Sequence, residues 1–333
     1  MKPRRDTRTE IAPAPRPEDA AMAESDEKEV LTMANGDRKT ETPAKLSSAT
    51  TGVTRRLGIL QLGWYAHEEA MPSKILSRIE TGEAIKVPGI IPALAQLCEQ
   101  DSSVKTAYLC HPSVQYITKT RGEGSFCGYR NIQMLISYFV ESKAQGCELF
   151  PNGVPSILQL QDLIEDAWDR GINAKGRLET GGIRGTRKHI GTPEAQALFK
   201  GLDIPCSVRC FRSGEGGHKA LDELLAFVKT YFRTGNGTST ETKVHRTDFS
   251  PIYLQRPRHS LTIVGFEERR DGSSDLLVLD PGLRPSQQMM RAVKAVEDEK
   301  GLDTNISLRP HRRGKWQLGW YKEFETLILA SSS

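Results

Sequence analysis

The chain has 333 residues, of which 37% are hydrophobic and 26% charged, enough apolar material for one large core and a small appendage. No apolar run reaches the roughly 20 residues that span a bilayer, and the N-terminal MKPRRDTRTE leads into no apolar secretory segment, so neither a membrane partner nor export is expected. A net charge of +4, with basic residues scattered among acidic ones, lacks the footprint of a nucleic-acid binder, and six irregularly spaced cysteines suit a reducing compartment, here nucleus and cytoplasm.

Residues 1–54 are rich in Ala, Pro, Thr, Ser and charged side chains and nearly free of aromatics, so they are expected to be disordered. Residues 55–102 read as a helical segment outside the main domain: 72–79 is amphipathic and ends near Gly82, and the turn-rich 87–92 leads into a helix up to Cys98. The run Gln61-Leu62-Gly63-Trp64-Tyr65 recurs at 317–321, but its flanks do not match over the 20 or more residues of a structural repeat. Its aromatics are read as core anchors or a shared contact surface.

Residues 103–333 carry the domain proper. After Cys127, the residues Ile132, Leu135, Ile136, Phe139 and Val140 fall at helical spacing, which predicts a helix lying inside the domain with Cys127 at its start. Further helices are expected at 156–170, 192–201, about 219–232 and 286–300. Strands are expected at 206–211, 252–255, 260–266, 276–280 and 325–330. With helices first and strands later, the class is α+β around an antiparallel sheet.

Most cysteines in a sequence are small buried hydrophobes, and Cys98, Cys110, Cys147, Cys206 and Cys210 are read that way. Cys127 differs in its setting. It follows Arg121-Gly122-Glu123-Gly124-Ser125-Phe126 and precedes Gly128, so the backbone can turn tightly and present the thiol at a helix N-terminus, where amides and dipole favour the thiolate. Such a thiolate needs a base. His259 opens the strand at 260–266, and the turn Asp271-Gly272-Ser273-Ser274 reverses the chain into 276–280, so the hairpin brings His259 and Asp280 to the same end. The competing reading of the pair is a histidine at a strand edge and a turn aspartate before Pro281. Cys206 and Cys210 with His189 or His218 are a metal set only on paper, and no metal or cofactor is expected.

The run Gly124-Ser125-Phe126-Cys127-Gly128-Tyr129-Arg130-Asn131-Ile132-Gln133-Met134-Leu135 resembles the nucleophile motif of the ubiquitin-fold-modifier peptidase family, in particular its deubiquitinating ZUFSP-type branch. Ile164 to Trp168, Gly185-Thr186-Arg187, Ile190-Gly191, Pro251 to Gln255, and His259-Ser260 through Asp280-Pro281-Gly282 follow in the same order. The resemblance implies a papain-like cysteine protease fold, with Cys127 as nucleophile, His259 as base, Asp280 as its orienting carboxylate, and Gln115 as helper to the oxyanion. Proteases for the ubiquitin-fold modifier are expected to carry Asp-Pro-His where this chain has Asp280-Pro281-Gly282, which points to His259 as base and to ubiquitin as substrate.

Two departures stand out: Ser125-Phe126 replaces the usual Trp-Gly before the cysteine, and the chain has no upstream zinc-finger spacing. The resemblance further implies polyubiquitin chains as partners, with selectivity for linkage through the lysine at position sixty-three of ubiquitin. Trp168, Trp64 and Tyr65 are the candidate substrate contacts, and 57–100 the candidate second ubiquitin site. The rival readings are a protease for another ubiquitin-like modifier and a binding scaffold whose protease site has decayed.

Overall fold

A computed structural model describes residues 64–82, 84–214, 219–234, 242–302 and 306–330; the expected disorder of 1–54 and the candidate His218 lie outside the described residues. The class is α+β, as expected. The chain runs α1 (Ser73–Glu80), β1 (Ile85–Val87), α2 (Ile90–Gln100), β2 (Val104–Leu109), β3 (Tyr116–Thr118) and α3 (Cys127–Ser142). Then come α4 (Ile157–Asp169), α5 (Lys175–Thr180), α6 (Thr192–Gly201), β4 (Cys206–Arg212), α7 (Ala220–Thr234), β5 (Val244–Arg246), β6 (Ile252–Arg256), β7 (His259–Arg269) and β8 (Ser274–Leu279). The elements α8 (Gln287–Glu297), β9 (Arg312–Arg313), α9 (Lys315–Leu318) and β10 (Glu323–Leu329) complete the order.

The strands form a small β1–β3 pair and an eight-stranded sheet in which β4-β10-β6-β7-β2-β5 are successive neighbours, β8 pairs with β7 and β9 extends β8. The pairings are antiparallel except β2 with β5. Sequence periodicity finds most of these elements to within a few residues. It misses β2, whose alternation is broken by a bulge between Val104 and Thr106, and β1, β3, α5, β5, β9 and α9, too short to show a period.

The helix α3 is buried on almost every side from Cys127 to Ser137 because it lies between two cores. Phe126, Tyr129, Ile132, Leu135, Ile136 and Phe139 pack with α4 and α6 in a helical core, while Met134 joins the sheet-side core. The ends of α4 and α6 are set locally: Ser156 and Gln159 form a reciprocal capping box, and Pro193 sits in the first turn of α6. Within the segment 57–100, residues 90–97 do not lie outside the core as expected. Ile90, Ile91, Leu94 and Leu97 of α2 are packed into the sheet-side core, because that helix has apolar residues on more than one face. Nor are the repeated tryptophans anchors: Trp64 is 69% and Trp320 81% exposed, while Tyr321 packs against the core.

Candidate active site

Cys127 is the first residue of α3 and only 3% exposed. Each residue of the turn that follows has a physical task. A Cβ on Gly128 would stand 2.8 Å from the carbonyl oxygen of Ile190, so only glycine lets the 187–191 loop seat against the helix start. Arg130 reaches back to the preceding loop, its Nη2 2.6 Å and its Nε 3.1 Å from the two carboxylate oxygens of Glu123, and both side chains are buried. Asn131 ties the helix to the sheet: its Nδ2 donates to Ser260 Oγ at 2.9 Å and its Oδ1 accepts from Thr262 Oγ1 at 2.8 Å.

Both of those hydroxyls are on β7, which His259 opens. In the β7–β8 register Thr262 faces Leu279, so Asp280, one step beyond, is the diagonal neighbour of His259 on the same face. The ring's Nε2 lies 2.8 Å from Asp280 Oδ1. That carboxylate is itself gripped: the Gly282 amide donates to Oδ1 at 2.9 Å, and Arg313 Nη2 donates to Oδ2 at 3.1 Å. Tyr116 Oη fixes the main chain by donating to the Asp280 carbonyl at 2.7 Å. With Nε2 occupied, the other ring nitrogen of His259 is free for the Cys127 thiol, with which it interacts.

A second imidazole meets the same sulfur. His189 Nδ1 is 3.9 Å from Cys127 Sγ, and the residue is 8% exposed. Burial pushes the Cys127 thiol up, but hydrogen bonds from His189 and His259 outweigh it and hold the thiol well below its ordinary range. Burial opposes charge on His259 too, yet the Asp280 carboxylate and the Cys127 thiolate raise it to about 9. Asp280 is held below the usual carboxylate range despite its burial, by His259, Arg313 and the Gly282 amide. Burial instead raises Cys98 to about 12 and Cys206 and Cys210 to about 11. Cys127 thus stands apart as the cysteine whose neighbours favour the thiolate over the thiol.

Three of the sequence candidates belong elsewhere or only border this cluster. Gln115 does not reach it: its Nε2 donates to Glu141 Oε1 at 2.8 Å, near the far end of α3 and about 20 Å from Cys127 at 1.5 Å per residue. Trp168 is a core residue, 3% exposed and packed on Gly176, as its inward position on α4 requires, and offers no surface to a substrate. Trp64 is open to solvent, whereas the Tyr65 ring covers Gly124 and stacks under the Arg187 guanidinium at 4.0 Å. Cys206 and Cys210 lie on β4, with the Cys210 thiol on Glu325, away from His189. Sequence reasoning missed the roles of His189, Asn131 and Arg313. The available signal for His189 was the glycine after the nucleophile, which announces a close approach by some other segment.

Comparison with known proteins converges on one group. The sequence profile of peptidase family C78 matches residues 103–327, more than half of the chain. Zinc finger-containing ubiquitin peptidase 1 of Mus musculus is 31% identical over 233 residues, 69% of this chain and 40% of that protein, so the chain spans about two fifths of that relative's length. Ubiquitin carboxyl-terminal hydrolase mug105 of Schizosaccharomyces pombe is 36% identical over 170 residues, 50% of this chain and 63% of that protein. Among solved structures, UfSP from C. elegans aligns at a TM-score of 0.45 and 17% identity, covering 75% of this chain and 38% of the other.

Proposed function

Because the chain belongs to peptidase family C78, we propose that it is a cysteine peptidase that hydrolyses the bond at the C-terminus of ubiquitin, with Cys127, His259 and Asp280 as its catalytic set. The observation that carries this reading is the buried Cys127 thiol at a helix start, served by an imidazole bonded at 2.8 Å to a carboxylate. In the proposed reaction the Cys127 thiolate attacks the terminal carbonyl carbon, and the negative oxygen that forms is held by the amides of the first turn of α3, which have no carbonyl partner within the helix. His259 gives its proton to the leaving amine, then takes one from the water that attacks the thioester, releasing the tail and restoring the thiolate beside a protonated ring. Asp280 keeps the ring in one tautomer and stabilises its charged form.

Ubiquitin rather than its fold relatives is favoured by position 282. A Cβ there would lie 3.8 Å from His259 Cε1, so the place where a modifier-type histidine would stand adjoins the ring already on β7. The finer expectation, preference for polyubiquitin linked through the lysine at position sixty-three of ubiquitin, needs a second ubiquitin contact. The exposed Trp64 and the outward face of α1 are where this chain offers one. The test is labelling by ubiquitin carrying a thiol-reactive C-terminus, beside the same probe built on the ubiquitin-fold modifier, followed by cleavage of di-ubiquitins of each linkage. Labelling of Cys127 by the ubiquitin probe, lost in Cys127→Ala, is expected. Labelling by the modifier probe alone would overturn the substrate, and equal cleavage of all linkages would overturn the preference.

A further inference from the structure

Two imidazoles border the Cys127 thiol, and the acid–base cycle uses one of them. His259 is committed to Asp280 through Nε2 and passes the proton through its other nitrogen. His189 has no carboxylate behind it: among the described residues, the hydrogen-bond partner of its ring is Cys127 Sγ. A buried imidazole that only fills space normally satisfies its polar nitrogen on backbone or water. This one is aimed at the reacting atom.

Its loop is also held on both sides. Arg187 is anchored by Glu68, which accepts from the Arg187 amide at 2.5 Å and from its guanidinium at 2.9 Å and 2.5 Å. Lys188 Nζ is tied to the Thr180 carbonyl at 2.8 Å and the Gly182 carbonyl at 3.0 Å, and Ile190 seats on Gly128. The ring is thus presented to the sulfur by a fixed frame, which is what a donor to developing charge requires.

We propose that His189 is a further catalytic residue, whose Nδ1–H donates a hydrogen bond to the Cys127 sulfur and stabilises the thiolate that His259 creates by taking the thiol proton. His189 keeps its own proton throughout; the only transfer is from Sγ to the ring of His259 and back. The 3.9 Å separation is that of the resting site, and such contacts tighten when charge develops on the acceptor. The inference rests on Cys127 being the nucleophile, but not on ubiquitin being the substrate.

The other titratable groups facing the thiol are placed so that they do not substitute for His189. On α3, Arg130 is paired with Glu123. From β6, Tyr253 Oη approaches Gly128, and its phenol is kept neutral by burial. Ahead of the helix, Lys119 Nζ donates to the Gly124 carbonyl at 2.9 Å. Asp280 and Arg313 act through His259.

The test is the pH profile of Cys127 alkylation by iodoacetamide in the full chain, read by mass spectrometry of the peptide that carries it. Wild type is expected to alkylate readily at pH 6. His189→Phe keeps the ring shape but lacks the donor and should lower that rate about tenfold, moving the acid limb up by about one pH unit. His189→Asn, whose amide can stand where Nδ1 does, should recover most of the loss. Should phenylalanine unfold the loop, as a melting curve would reveal, the comparison of His189→Asn with His189→Leu replaces it. Superposable profiles for wild type and the donor-less variant would overturn the role of His189. A wild-type Cys127 that alkylates only near the ordinary thiol range of about 8.5 would overturn the nucleophile and His189 together. A reactive thiol that responds to His189 but ignores the ubiquitin probe would leave His189 standing and remove only the substrate.

Discussion

The two sides of the reactive thiol are built by different physics. On the sheet side, His259 and Asp280 belong to one hairpin, and strand register, shifted by one residue between Ile263 and Gly265, makes them diagonal neighbours, with Arg313 and the Gly282 amide closing around the carboxylate. On the helical side, His189 is 62 residues from Cys127 and reaches it only because α3 and the 187–191 loop pack together at Gly128. The first arrangement yields a charge-assisted bond of 2.8 Å, the second a contact of 3.9 Å. Register fixes a ring to hydrogen-bond accuracy, whereas packing brings groups near and leaves the last few tenths of an ångström to the chemistry.

The strongest way to break the sheet side is Asp280→Asn, which keeps the shape and removes the anion. Turnover of a ubiquitin substrate should fall by about 10²–10⁴-fold, the upper figure being the loss seen when a serine protease is deprived of the corresponding carboxylate. The pH profile should change in a stated direction. His259 is raised to about 9, so its charged form persists as pH climbs and is lost only through that value. Without Asp280 the imidazolium is lost earlier, toward the ordinary histidine range of about 6.5, and the alkaline limb of turnover moves down. An unmoved alkaline limb would show that the carboxylate does not govern the ring. Loss of the His189 donor, by contrast, acts on the acid limb, so the two sides separate on one plot.

A smaller effect is expected where the sides are joined. Asn131→Leu removes the clamp between α3 and β7 and leaves the fully buried Ser260 and Thr262 hydroxyls without that partner. Each orphaned group costs about 1–3 kcal/mol, so urea denaturation should register a clear loss of stability. Below the new transition, hydrolysis should fall about tenfold as Cys127 and His259 lose their mutual placement. Full activity in a destabilised protein would mean that core packing, not Asn131, sets the distance.

The same contrast explains what could be read in the sequence. The hairpin was legible because two apolar runs flank the turn at Asp271-Gly272, but the register shift between Ile263 and Gly265 that puts Asp280 on the face of His259 has no sequence signal. The helix start at Cys127 was legible from glycines before it and the 3.6-residue period after it. Gln115 was misplaced because the path from a short strand through a loop to a helix has no period; Ser137 and Glu141 hold it at the wrong end of α3. Trp168, a candidate substrate contact in the sequence, is instead buried in the helical core by its place on the apolar face of α4. His189 lies in coil between α5 and α6, where only three-dimensional packing says what it touches.

The smallest expected effect distinguishes the hairpin from the charge that decorates it. Arg313 donates to Asp280 Oδ2 at 3.1 Å, but its Nη1 is engaged with the carbonyls of Pro310 and Arg312, so the guanidinium is only partly committed to the carboxylate. Arg313→Met removes one donor, while the Gly282 amide and His259 still hold Oδ1. Among the contacts that depress Asp280 against its burial, His259 leads, Arg313 follows and the Gly282 amide comes after, so without Arg313 its proton affinity should rise yet stay far below neutrality. A depressed carboxylate is ionised at every pH above its folded value and contributes nothing only once pH falls through it. Removing Arg313 therefore narrows activity at the acid end and leaves the rate at pH 7 within about threefold of wild type, about 0.7 kcal/mol of barrier. A hundredfold loss at pH 7 would mean that the guanidinium, rather than strand register, aims Asp280 at His259, and the account of the sheet side would have to be rebuilt around β9.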